Sequence, residues 1–277
     1  MEKDPARMGF DRGIRRAARI LFSLVGMSAL SGCAIAPDIA TQGARLVVSL
    51  QFADNVNPIF HYFFLVRNSN DPDEVNAENG PIPIFEPPYG NGFATGQNTA
   101  TAGFTDFVVF NLSRQQGTGG FGVYKVPGGI SGNPNNGIYG VNPNRVPDVI
   151  HAPTTQSPAL IRFEIGLCSF AENPSTCNAA TGQNVPRFLQ VNMVATTTTP
   201  ISPTTVDHNK YVDAFGEQRL GSGTINTFIQ IDTATANFYQ SSQVEGDPRY
   251  EPDNDTYPQQ SDPAIELIAW SIQVIPR

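Results

Sequence analysis

From Arg45 to Phe52, the residues Leu46, Val48, Leu50 and Phe52 fall on one parity of the chain. A two-residue apolar period gives a strand one buried face, whereas a helix needs its apolar residues three and four apart. The same period recurs four more times. Ile161, Phe163, Ile165 and Leu167 stand opposite Arg162 and Glu164, and Leu189, Val191 and Met193 stand opposite Gln190 and Asn192. Ile225, Thr227, Ile229 and Ile231 form another set, as do Ile268, Trp270, Ile272 and Val274. Each predicts a strand with one face on a core.

Two further runs, Ile59 to Val66 and Phe107 to Phe110, are apolar without alternation. They predict strands covered on both faces, or strands with an aromatic outer face. Helical signals are nearly absent after residue 32, because Pro, Gly and β-branched residues recur too often for a helix to propagate. The expected fold is therefore all-β: an antiparallel β-sandwich with long Gly/Pro/Asn-rich loops, spanning residues 44–277 as one domain or two small packed ones. The long polar connections run from Asn68 to Gly80, Pro127 to Pro158, Thr196 to Asp207 and Ser241 to Pro263. No repeat at a fixed spacing supports a propeller or a solenoid.

The N-terminus has a different character. Arg12, Arg15, Arg16 and Arg19 precede the mostly apolar segment Ile20 to Leu30. As a helix that segment would reach about 16 Å, short of the roughly 30 Å of a bilayer core. It reads as the apolar region of a signal peptide covering residues 1–32. The four residues that close it, Leu30-Ser31-Gly32-Cys33, resemble the lipobox of bacterial lipoproteins. The resemblance covers about the first 33 residues. It implies cleavage between Gly32 and Cys33, a diacylglyceryl group on the Cys33 thiol, and acylation of the new amino terminus. One acyl chain holds a membrane marginally and two or more hold it stably. In the same family pattern, Ala34 after the cysteine, rather than Asp, implies the outer membrane. Residues 33–43 then form a lipidated tether whose reach is roughly 17 Å if flexible.

Removing residues 1–32 leaves 11 basic residues against 22 acidic ones, a net charge of −11. That balance argues against sequence-independent nucleic-acid binding and against a polybasic membrane patch, both of which depend on Lys and Arg. If Cys33 carries lipid, the remaining cysteines are one pair, Cys168 and Cys177. An oxidising compartment would join them. The alternative is two buried thiols.

Chemistry is harder to find. His61, His151 and His208 are the chain's three histidines, and none lies in a recognisable nucleophile, zinc or phosphate motif. His61, inside an aromatic run, reads as a packed core residue, and His208 as an exposed loop residue. The acidic groups Asp71, Asp73 and Glu74 with Asn76, and Asp253 and Asp255 after Glu251, read as solvated loop charge, because calcium-loop spacing is missing. No catalytic residue, metal ligand or cofactor is assigned.

The most distinctive internal segment is Pro87-Pro88-Tyr89-Gly90-Asn91-Gly92-Phe93. Its Asn-Gly step suits a tight turn, and Tyr89, Asn91 and Phe93 form a candidate ligand-binding group of the kind that holds sugars. The competing reading folds these rings onto the core, and Tyr124 and Tyr139 would enlarge either arrangement. The functional expectation is a lipid-anchored envelope protein whose noncatalytic β-domain is structural or binds an envelope protein or glycan. A carbohydrate-binding surface lipoprotein is the alternative, and an anchored glycoside hydrolase ranks below it.

Overall fold

In the computed structural model, the strand expected at the start of the domain is β1 (Arg45–Phe52), with Leu46, Val48, Leu50 and Phe52 all buried in the core. The structure describes residues 43–69, 80–81, 103–127, 139, 143–198, 211–216, 228–244, 247, 249–251 and 262–276, within one compact unit, Gln42–Arg277. The strands that follow β1 are β2 (His61–Ser69), β3 (Asp106–Phe110), β4 (Phe121–Lys125), β5 (Val149–His151) and β6 (Leu160–Gly166). The chain continues through β7 (Phe188–Thr196), β8 (Val212–Ala214), β9 (Ile229–Asp232), β10 (Asn237–Gln240) and β11 (Leu267–Ile275). Among the described residues there are three short 3₁₀ turns and no α-helix.

These strands form two antiparallel sheets. The first has the order β10-β11-β1-β6-β5, and the second β4-β3-β2-β7-β8, with β9 also pairing β7. One parity of each sheet faces the other: Leu50, Phe163 and Ile272 from the first share a core with Phe64, Val108 and Val191 from the second. Phe64 and Phe163 meet edge to face at 5.6 Å between ring centroids across that interface. The protein is an all-β sandwich, with alternating side chains of the two inner faces packed into one core.

β2 and β3 have apolar residues on both parities because both faces are covered. Phe63, Leu65, Phe107 and Val109 point away from the first sheet and join Phe104, Tyr124, Val126 and Tyr139 in a second apolar cluster. Among the described residues, connections supply this cover through Phe104, Val126 and Tyr139. The burial extends to polar residues expected in solvent: Gln190 and Asn192 are buried, as is Glu164 on the far side of the first sheet. Each finds a partner that a local pattern cannot reveal, such as the Pro81 carbonyl for Asn192 Nδ2 and Arg45 Nε for Glu164.

The last strand keeps Trp270, Ile272 and Val274 on the expected core face and departs from it at Ile268. Pairing runs from Gln51 opposite Ala269 to Phe52 opposite Leu267, a β-bulge that skips Ile268. Beyond that extra residue the parity inverts, so Leu267 enters the core and Ile268 is only partly buried. The 127–158 connection also contains β5, and the short strands β4, β8 and β10 carry no period long enough to be read from the chain.

Candidate functional site

Asp106 and Lys125 are directly opposed at the end of the β3–β4 ladder. Opposed residues of an antiparallel pair project to the same side, and here Lys125 Nζ lies 2.8 Å from Asp106 Oδ1. Thr105 Oγ1 donates to the other carboxylate oxygen at 2.8 Å. Asp106 is 1% exposed, whereas the Lys125 side chain is 32% exposed. Burial pushes the Asp106 carboxyl above the usual carboxylate range, against the opposing pull of Lys125, Thr105 and Arg145.

Arg145 arrives by backbone pairing. The Val123 amide donates to the Arg145 carbonyl at 2.8 Å, and the Asn144 amide donates to the Val123 carbonyl at 3.1 Å, extending the sheet beyond β4. The opposite wall comes from the turn after β6, where Cys168 and Cys177 are joined in a disulfide with Cα atoms 5.5 Å apart. Ser169 and Pro174 of that turn face Asp106, Lys125, Asn144 and Arg145 across a half-open cleft of about 340 Å³. Asn68 ties the wall to the second sheet: its Nδ2 donates to the Phe170 carbonyl at 2.9 Å, and its backbone amide donates to Thr105 Oγ1 at 3.0 Å. The volume falls at the lower end of the range for small-molecule sites. Two cations surround one carboxylate there, an arrangement suited to recognition of charge.

A second polar group lies on the covered face of the second sheet. His61 Nδ1 is 2.7 Å from the Tyr139 hydroxyl and 3.2 Å from Asn111 Nδ2. Asn111 Nδ2 also donates to the carbonyls of Ile59 and Phe60, while its Oδ1 accepts from the Arg114 amide. Those backbone partners orient the amide, so its nitrogen faces the His61 ring. The Arg114 guanidinium stands 4.5 Å over the Tyr139 ring. His61 is thus packed and partnered, as its aromatic surroundings in the sequence imply. Tyr124 and Tyr139 are buried in the same cluster.

Between the sheets lie interior carboxylates. Glu251 is fully buried and accepts from the Trp270 indole at 2.9 Å and from the Gly216 amide at 3.2 Å. This corrects its reading as solvated loop charge: the neighbouring Trp270, stacked on Phe215 at 4.5 Å, brings it inside. His151, by contrast, is exposed at the end of β5.

Of the residues singled out from sequence, Cys168 and Cys177 are brought together. Cys33, Tyr89, Asn91 and Phe93 lie outside the described residues, as do Asp71, Asp73, Glu74, Asn76, His208, Asp253 and Asp255. Among the described residues, no group of three or more His, Cys, Asp and Glu side chains is placed to hold a metal ion. Lys125 and Arg145 were not legible as a pair, because 19 residues of Gly/Pro/Asn-rich chain separate them. No family model matches the chain, and no curated protein or solved structure is significantly similar to it.

Proposed function

We propose that the chain is a bacterial lipoprotein, anchored through Cys33 and probing the cell envelope with a noncatalytic β-sandwich that serves a structural or binding task. The observation that carries this reading is the segment Ile20 to Leu30 behind four arginines, closed by Leu30-Ser31-Gly32-Cys33. Two features of the folded domain support it. The Cys168–Cys177 disulfide suits an oxidising compartment outside the cytoplasm. The first strand begins at Arg45, just after the segment 33–43 expected to form the tether.

The buried polar groups also favour a noncatalytic domain. Glu251 and Asp213 direct their carboxylates to backbone amides and an indole of the interior, and the His61 ring is held against Tyr139. These are partners that fix a core. An anchored glycoside hydrolase would instead need two carboxyl groups facing a sugar. The carbohydrate-binding alternative rests on Tyr89, Asn91 and Phe93, and no contact among the described residues favours it.

The test is fractionation of cells expressing the full chain or its Cys33→Ser variant. The native chain is expected in the membrane fraction, resisting high salt and released by detergent, and is expected to take up radiolabelled palmitate, whereas Cys33→Ser takes up none and retains residues 1–32. Equal labelling of the two would contradict the proposal.

A further inference from the structure

We infer that the cleft between β4 and the disulfide turn is a binding site for a single carboxylate or phosphate group, with Arg145 as its principal contact.

The chain carries a net charge of −8, so a small anion is repelled from most of its surface. This cleft is locally reversed, because Lys125 and Arg145 line it with only Asp106 against them. Lys125 is committed to Asp106 at 2.8 Å. Arg145 has an exposed side chain and makes no ion pair among the described residues. Its guanidinium offers a planar fork of donors that matches a carboxylate or phosphate with two parallel hydrogen bonds.

The remaining lining suits the same guest. Asn144 and Ser169 add polar side chains, while Val123 and Pro174 provide apolar walls. Both sides are rigidly held: Arg145 by its backbone pairing to Val123, and the Ser169 wall by the disulfide and by Asn68. A pre-formed site loses little ordering entropy when it binds. Asp106 tunes the site by opposing the guest, since its carboxylate neutralises Lys125 and repels a second anion. The inference does not depend on acylation of Cys33.

The experiment is isothermal titration calorimetry on the detergent-solubilised full chain at pH 7 and constant ionic strength, with sodium phosphate and sodium propionate as separate probes. Saturable binding of either at one site per chain is expected, and the probe that binds more tightly tells phosphate from carboxylate. Arg145→Ala should weaken that binding at least about tenfold, as expected for loss of a charge-assisted pair. Its exposed side chain can be removed without touching the backbone pairing to Val123, and an unchanged unfolding temperature verifies this. Asp106→Asn should tighten binding severalfold. Absence of saturable binding with both probes, or equal affinity in the native chain and a folded Arg145→Ala variant, would overturn the inference.

Discussion

Asp213 on β8 of the second sheet accepts a hydrogen bond at Oδ2 from the backbone amide of Leu267, the first residue of β11 in the other sheet. Its Oδ1 accepts from the Ala214 amide at 2.8 Å. One buried carboxylate therefore fastens the two sheets at the place where the bulge in β11 frees a backbone donor. Asp213→Ala leaves both amides without this acceptor, and hydrogen bonds to a charged group contribute about 1.5 to 3 kcal/mol each. Chemical denaturation should show a loss of about 3 kcal/mol. A loss below about 1 kcal/mol would mean the sheets are held there by apolar packing alone.

Two aspartates give opposite dependences of stability on pH. Burial raises the Asp106 carboxyl above its unfolded value, so its contribution is most favourable below about pH 4 and is lost as pH rises through the folded value. The native chain should therefore gain stability relative to Asp106→Asn on acidification. At Asp232, slight burial is outweighed by hydrogen bonds from the Ala234 amide and Arg187, and the carboxyl is lowered. Its contribution is present above about pH 4 and disappears as pH falls through the folded value, with a size below about 1 kcal/mol for a surface pair. Urea titrations from pH 3 to 7 should give slopes of opposite sign for the two Asn variants relative to the native chain.

The disulfide closes a ten-residue loop from Cys168 to Cys177. Loop entropy assigns such a bridge about 2.7 kcal/mol. Cys168→Ala combined with Cys177→Ala should lower stability by about that amount. The same double variant should weaken anion binding, because Ser169 and Pro174 form one wall of the cleft.

Gly120 tests the turn that places β4. Its φ of +91° lies in the region that favours glycine, and an added Cβ would come within 2.5 Å of the Phe110 ring. Gly120→Ala should therefore cost more than about 1 kcal/mol, from backbone strain together with displacement of a core aromatic. A neutral effect would show that Phe110 can give way without loss.

The two-residue period made β1, β6 and β7 legible because half of each strand faces one continuous core. The unbroken run in β2 announced a strand with either both faces covered or an aromatic outer face, and the second apolar cluster decides for the former. The period failed wherever burial is decided by distant chain. Gln190 and Asn192 look solvent-facing until the Pro81 carbonyl, 111 positions away from Asn192, is seen to meet its amide. Ile268 loses its place to Leu267 through one extra residue in the ladder, which no local pattern marks. Strands of three to five residues such as β4, β5 and β8 are too short to show a period. Of the cleft, only the disulfide could be anticipated, since the approach of Arg145 to Lys125 depends on how the intervening connection returns to β4.

The central claim is that this sandwich is held to a membrane by lipid on Cys33. Intact mass spectrometry of the chain extracted from bacterial membranes tests it most directly. The account predicts a polypeptide that begins at Cys33 and carries the added mass of a diacylglyceryl group, with or without a further acyl chain. An unmodified Cys33, or a chain that still retains Gly32, would contradict it.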